Sequence, residues 1–205
     1  KDKVEEMIAA LKANGAYYIS TQEEADKVRE SAFPDGIFNK VWTGTTIQQM
    51  ADLAGLENVP EDTKVIVSCT KGYGRNEVLA KEKLFPMLAL FTYDTWEECM
   101  EIARANLAVE GMGHSCVIHS NTTEHIEAVP NVVDVSRYAV NQVGGTALGG
   151  AMDNGLNPTT TLGCGTWGNN AISENLWFTH LMNVSRISYK VKDMYIPSDE
   201  EIWAD

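Results

Sequence analysis

Apolar residues in the first half of the chain alternate between a helical spacing and short continuous runs. Between residues 4 and 11 they recur at intervals of three and four, which predicts an amphipathic helix that stops at Gly15. Residues 64–69 (KVIVSC) form a β-branched run typical of a strand. A second run at residues 84–93 (LFPMLALFTY) contains Pro86, which fits the start of a strand or an edge strand.

The same two patterns continue along the chain and predict an alternation of helices and strands. Helices are predicted over residues 21–31, 46–55, 95–111 and 122–128, and further strands over residues 17–20, 114–119 and 132–140. Helices between apolar strands imply crossover connections, so we expect an α/β fold with a largely parallel sheet flanked by helices. Ligands of such sheets bind beyond the carboxyl ends of the strands, where we expect the site.

A glycine-rich region separates these elements from the C-terminal part of the chain. It comprises residues 144–155 (GGTALGGAMDNG) and residues 159–175 (TTTLGCGTWGNNAISEN), and has the length of a functional loop. Cys164 lies between two glycines of the second stretch. Backbone amides can lower the pKa of such a thiol and make it a nucleophile, but no base is adjacent in sequence. A structural thiol on a tight turn is the equally weighted alternative.

The last part of the chain has a different pattern. Residues 173–182 read as helical or irregular, whereas residues 184–191 (VSRISYKV) alternate with a period of two. This alternation predicts a strand at a sheet edge or a subunit contact. We therefore divide the chain into a domain over residues 1–182 and a C-terminal oligomerisation strand and tail over residues 183–205.

Composition excludes several classes of function. A net charge of −13 argues against a nucleic-acid or anionic-membrane partner, although a local pocket of backbone amides can still bind an anion. No apolar run approaches the roughly 18 residues that cross a bilayer. The four cysteines form no CxxC pair and suit free thiols in a reducing compartment. The four histidines lack a metal-binding spacing, so no metal is expected, and no dinucleotide or P-loop fingerprint occurs.

Four motifs in order carry a resemblance to a known family. They are residues 82–86 (EKLFP), 111–116 (GMGHSC), 158–175 (PTTTLGCGTWGNNAISEN) and 180–187 (HLMNVSRI). This order resembles the catalytic half of the CoA-acylating aldehyde dehydrogenases. The chain is most similar to the aldehyde dehydrogenase part of bifunctional aldehyde/alcohol dehydrogenases and to the succinate-semialdehyde dehydrogenases that make acyl-CoA.

The resemblance implies a reaction, its cofactor and its partners. An aldehyde, NAD(P)⁺ and coenzyme A would give acyl-CoA and NAD(P)H through a cysteine thioester. The aldehyde would be short and acetaldehyde-like, with succinate semialdehyde as the alternative. The resemblance further implies a homodimer or larger homo-oligomer in the cytoplasm, or inside a bacterial microcompartment.

The resemblance also assigns roles to individual residues. His114 is expected near the reactive cysteine as a polarising or proton-transfer group. Glu82 would hold the hydroxyls of the nicotinamide ribose, with Pro86 in the same cofactor motif. A contiguous segment would line the entrance for the aldehyde and CoA: Gly163, Cys164, Gly165, Thr166, Trp167, Gly168, Asn169 and Asn170.

The family's nucleophilic cysteine would lie just upstream of Lys1, as would the nucleotide-binding half. With the nucleophile placed there, Cys164 is expected to lie beside the active centre and not to act as the nucleophile. It also leaves a second hypothesis, in which these 205 residues fold and self-associate without catalysing a reaction.

Overall fold

Two small parallel sheets form the framework of the protein. A computed structural model describes residues 2–204. The first sheet has the order β1-β2-β3, with β1 Ala16–Ile19, β2 Val65–Cys69 and β3 Met87–Leu90, all parallel. The second sheet pairs β4 Gly113–Ile118 with β5 Val135–Val140, also in parallel. The predicted α/β class is confirmed, although its strands form two sheets rather than one.

Helices connect and cover these strands. Thr46 begins one of them with a capping box, in which its hydroxyl accepts the Gln49 N–H at 3.3 Å. That helix ends at Gly55, whose φ of +62° suits glycine. The α-helices are α1 Val4–Ala13, α2 Gln22–Ala32, α3 Ile47–Ala54, α4 Trp96–Glu110, α5 Thr123–Ala128, α6 Gly144–Ala147 and α7 Asp199–Ile202. Short 3₁₀ turns span Pro34–Gly36, Lys40–Trp42, Gly74–Asn76, Val78–Ala80, Val129–Asn131, Gly165–Gly168 and Phe178–Leu181.

The main core lies between the first sheet and helices α2 and α3. Trp42, Met50 and Ile66 are completely buried in it. The ring of Phe85 joins this core, with its centroid 4.9 Å from that of Trp42. Because Phe85 comes directly before Pro86 and β3, its burial anchors the segment that carries Glu82.

A buried ion pair attaches the loop after β2 to helix α2. Arg29 donates from Nε and Nη2 to the two carboxylate oxygens of Glu77, each at 2.9 Å. The same carboxylate accepts the backbone N–H groups of Lys71 and Leu79, each at 3.1 Å. Burial alone would raise the pKa of Glu77, but the hydrogen bonds from Arg29 and the backbone outweigh it and lower this pKa.

We expect Glu77→Gln to destabilise the protein and to reduce its sensitivity to acid. The substitution removes the charge of the buried carboxylate and leaves Arg29 with only its contact to Asp26, at 3.1 Å, which costs about 3 kcal/mol of unfolding free energy. Since the pKa of Glu77 is lower in the folded state, the ionised carboxylate contributes stability above its unfolded pKa of about 4.3. That contribution disappears as the pH falls through the folded-state pKa.

Urea unfolding at pH 7 and at lower pH measures this effect. The variant should lose less stability on acidification than the wild type. Glu23→Gln is the matched control, because Glu23 forms an exposed pair with Lys27 and should change little. Equal acid sensitivity of wild type and Glu77→Gln would contradict the role given to Glu77.

The predicted C-terminal strand is absent within the single chain. Residues 183–191 adopt no strand, and Ile187 and Tyr189 are 81% and 83% exposed. An alternating segment becomes a strand only when a neighbouring backbone supplies hydrogen-bond partners, and residues 2–204 place none beside it. Its pairing in an assembly and the division at residue 183 remain predictions. In the described part of the chain, no helix is long and apolar enough to cross a membrane.

Candidate functional site

A cleft of about 340 Å³ brings together two of the residues singled out from sequence. Glu82 enters it from the segment before β3, and His114 enters it from β4. The last turns of α4 provide the third wall through Asn106, Leu107 and Glu110. The cleft therefore lies at the amino ends of β3 and β4.

This cleft lies at the end of the strands opposite to the one at which we expected a site. The general rule describes sheets whose ligand-binding loops follow their strands. Here Glu82 precedes β3, and His114 is only the second residue of β4. The motifs sit in the segments that lead into the strands, and this fixes the end at which the cleft forms.

The backbone before His114 presents its imidazole to the cleft. Helix α4 ends at Gly111, and the chain turns through Gly113, whose φ is +81°. The His114 N–H donates to the Gly111 carbonyl at 3.0 Å. The imidazole is exposed, and within residues 2–204 it has no hydrogen-bond partner. Its ring nitrogens are therefore available to hydrogen-bond to a bound molecule.

Glu82 has its backbone fixed and its carboxylate exposed. The Glu82 N–H donates to Oε2 of Glu110 at 2.9 Å. No donor among residues 2–204 engages the Glu82 carboxylate, which leaves both oxygens available to a ligand. Pro86 does not line this cleft. Instead its carbonyl accepts the Ile66 N–H at 3.1 Å where β3 begins, as its predicted position at the start of a strand requires.

The predicted entrance segment, residues 163–170, forms a compact turn that is closed by one side chain. The Asn170 Oδ1 accepts the N–H groups of Cys164 at 2.8 Å and Gly165 at 3.0 Å, and its Nδ2 donates to the Gly168 carbonyl at 3.1 Å. Asn169 ends the 3₁₀ turn with a φ of +57°. Thr166 and Trp167 are exposed at the tip of this turn. Asn170 therefore supports the turn itself.

The turn lies directly against the start of β4, one residue from His114. A Cβ added to Gly113 would lie 2.1 Å from the Cys164 carbonyl oxygen, and one added to Gly168 would lie 2.4 Å from the Cys164 Cβ. These separations leave no room for a side chain. The structure thus brings the glycine-rich turn beside the cleft that contains His114 and Glu82.

Sequence reasoning missed Arg137, which links these parts. Arg137 is 2% exposed on β5 and donates to the carbonyls of His114 at 2.8 Å and Gly163 at 2.6 Å. It also donates to the Ser115 hydroxyl at 3.1 Å. A signal was present, because the charged Arg137 alternates onto the same buried face of the strand as the apolar Ala139.

The four cysteines are free thiols that are partly shielded from solvent. Burial raises the pKa of Cys99 and of Cys116, which disfavours the reactive thiolate. Cys69 lies 3.1 Å from the Tyr18 hydroxyl, and the Cys164 thiol donates weakly to the Leu162 carbonyl at 3.8 Å. Among residues 2–204, no group of three or more potential ligands could hold a metal ion.

Comparisons with known proteins identify the family. The chain is 51% identical over 199 residues to the succinate-semialdehyde dehydrogenase (acetylating) of Clostridium kluyveri, a match that covers 97% of this chain and 44% of that protein. The crystal structure of an acetylating aldehyde dehydrogenase from Geobacillus thermoglucosidasius is 34% identical with a TM-score of 0.86, covering 96% of this chain and 43% of the other. The chain belongs to the acylating aldehyde dehydrogenases.

A bifunctional relative confirms the resemblance to the aldehyde/alcohol dehydrogenases. The aldehyde-alcohol dehydrogenase of Clostridium acetobutylicum is 32% identical over 184 residues, which cover 88% of this chain and 21% of that protein. No protein-family model matches the chain. The chain spans less than half the length of each of these acylating aldehyde dehydrogenase relatives.

Proposed function

We propose that the full-length protein containing this chain oxidises an aldehyde to an acyl-CoA with NAD(P)⁺ as oxidant. The observation that carries the proposal is the single cleft that unites Glu82 with His114 beside the glycine-rich turn. The 51% identity to an acetylating succinate-semialdehyde dehydrogenase supports the same reaction class.

His114 is assigned the proton transfer. In the proposed reaction a cysteine thiolate forms a C–S bond to the aldehyde carbon, and the oxygen becomes negatively charged. A protonated imidazole at this position can transfer its proton to this oxygen and recover the same proton when the carbon gives up its hydride and the carbonyl re-forms; among residues 2–204 no side chain competes for it. The CoA sulfur then attacks the thioester carbon, the bond to the cysteine sulfur breaks and frees the cysteine thiolate, and the proton of the CoA thiol passes to solvent.

Glu82 is assigned to the cofactor. NAD(P)⁺, when bound, supplies the hydride acceptor. The Glu82 carboxylate fits a ribose because both of its oxygens are free and accept hydrogen bonds from adjacent hydroxyls. The Glu110 side chain holds the Glu82 backbone and so limits the directions in which this carboxylate can point.

The nucleophile is proposed to lie outside this chain. Burial raises the pKa of two of the four thiols, Cys99 and Cys116, and Cys99 lines a separate cleft at the carboxyl end of β4. Cys164 contacts the site through its backbone, while its thiol turns to the Leu162 carbonyl. Cys164 is therefore assigned to the wall of the entrance.

The substrate is proposed to be a short-chain aldehyde. Of the two lysines of the cleft, Lys81 forms an ion pair with Glu110 at 3.8 Å, and Lys83 donates to two backbone carbonyls, so neither ammonium group is directed at a substrate carboxylate. This favours an uncharged aldehyde such as acetaldehyde. The name of the Clostridium kluyveri relative favours succinate semialdehyde as the alternative.

The assembly is proposed to be a homodimer or a larger homo-oligomer in the cytoplasm or a microcompartment. Residues 184–191 support self-association because they are exposed, apolar at alternate positions and available to pair with a second copy. Free thiols at all four cysteines agree with a reducing compartment.

We expect the full-length protein to form NAD(P)H only when aldehyde and CoA are both present. Absorbance at the wavelength of the reduced nicotinamide and mass spectrometry of the product measure this requirement, with acetaldehyde and succinate semialdehyde compared side by side. Free acid formed without CoA as the main product would rule out the acylating reaction.

The 205-residue chain alone tests the noncatalytic hypothesis. We expect it to fold and self-associate without turnover, because, among residues 2–204, no cysteine lines the cleft that contains Glu82 and His114. Turnover by the purified chain would instead place the nucleophile among its four cysteines.

A further inference from the structure

We propose that Arg137 is a positioning residue that fixes the backbone of His114 relative to the glycine-rich turn. The inference rests on the proposed function, because it concerns the same cleft. It adds a residue to the site that none of the sequence motifs contains.

Arg137 bonds to two segments that are far apart in sequence. In the second sheet it pairs in register with Ser115, so its side chain starts next to the first residues of β4. From there the guanidinium reaches the Ser115 hydroxyl, the His114 carbonyl and the Gly163 carbonyl. Each bond uses a different nitrogen, so one rigid group sets all three positions at once.

The bonding pattern indicates a geometric role. All three acceptors are uncharged, and no carboxylate among residues 2–204 forms an ion pair with Arg137. Arg29, whose side chain is 13% exposed, instead binds both oxygens of Glu77 and one oxygen of Asp26. A guanidinium left without a counter-ion is costly to bury, and here its planar array of donors holds neutral backbone groups in place.

Contacts next to the His114 and Gly163 carbonyls connect Arg137 to the cleft. Gly113 touches the Cys164 carbonyl, so β4 and the turn cannot slide past each other while Arg137 holds both. Without the guanidinium, the His114 and Gly163 carbonyls lose a buried donor and must shift towards water. The exposed imidazole would move with its backbone.

The test compares Arg137→Met and Arg137→Lys with the control Arg29→Lys in the full-length protein. Methionine fills similar space without donors, and lysine keeps the charge but not the planar fork. We expect Arg137→Met to lower kcat about 100-fold with each KM changed less than about threefold, as a misplaced catalytic group would. Arg137→Lys should recover part of this loss.

Hydrogen exchange provides a readout that does not depend on turnover. Exchange should rise in residues 111–118 and 161–176 of both Arg137 variants. In Arg29→Lys it should rise instead around residues 71–79, where Glu77 is bound, and kcat should remain within about twofold of wild type. If Arg137→Met does not fold, the kcat and hydrogen exchange of Arg137→Lys are compared with those of the wild type and of Arg29→Lys.

Two outcomes would overturn the inference. One is a kcat of the Arg137 variants within about twofold of wild type. The other is exchange in both segments that matches wild type. A wild-type protein without CoA-dependent turnover would count against the proposed function alone, because the exchange measurements would still decide the positioning role.

Discussion

Replacing His114 by alanine is expected to lower kcat of the full-length protein by about 10²–10³-fold, because general acid–base catalysis contributes at this level. The imidazole lines the cleft, and among residues 2–204 it hydrogen-bonds to no other residue, so a bound molecule can contact it without a bond having to break first. KM for the aldehyde should change much less than kcat. Steady-state kinetics with saturating CoA and NAD(P)⁺ measure both constants.

His119→Ala is the matched control for this experiment. His119 lies just past the other end of β4 and lines a separate cleft of about 360 Å³. Its loss should leave kcat within about twofold of wild type. Unchanged kinetics of His114→Ala would show that His114 has no catalytic role and is only an exposed residue at the start of a strand.

Gly113→Ala is expected to damage stability and site together. The new Cβ would lie 2.1 Å from the Cys164 carbonyl oxygen, and alanine strains a backbone with φ of +81°. We expect a loss of roughly 3 kcal/mol in unfolding free energy from strain and overpacking combined. Because the turn must move away from β4, turnover should fall even where the variant remains folded.

Gly145→Ala provides the control for the glycine substitution. A Cβ at Gly145 meets nothing within 4 Å, and the residue lies in helix α6, where alanine is favourable. Its unfolding midpoint should stay at or slightly above that of wild type. A Gly113→Ala protein as stable as Gly145→Ala would show that the turn can leave β4 at little cost.

Local signals in the sequence predicted local structure well. Thr46 and Gly55 delimit α3 as expected, because a capping hydroxyl and a left-handed glycine act within a few residues. Pro86 stands where β3 begins. Glu82 and His114 line one cleft because of the tertiary structure, which local sequence patterns do not encode. Only the family resemblance suggested that these two residues belong to one site.

The features that sequence did not predict depend on contacts between distant segments. The burial of Arg137 follows from the meeting of β4, β5 and the turn at Gly163, which no local pattern encodes. The amino-end location of the cleft depends on which loops meet at each end of the two sheets. Residues 184–191 have the pattern of a strand but, among residues 2–204, no neighbour to complete it.

The open backbone of this C-terminal segment has a practical consequence for handling the chain. Apolar side chains from Met182 to Ile196 are solvent-exposed and include Ile187, Tyr189 and Ile196, each at least 80% exposed. Unpaired backbone groups combined with such side chains can recruit any available sheet edge, including that of a misfolded copy. At high concentration the segment is thus an aggregation hazard, and a charged residue in place of Ile187 would be the first substitution to improve recovery of the isolated chain.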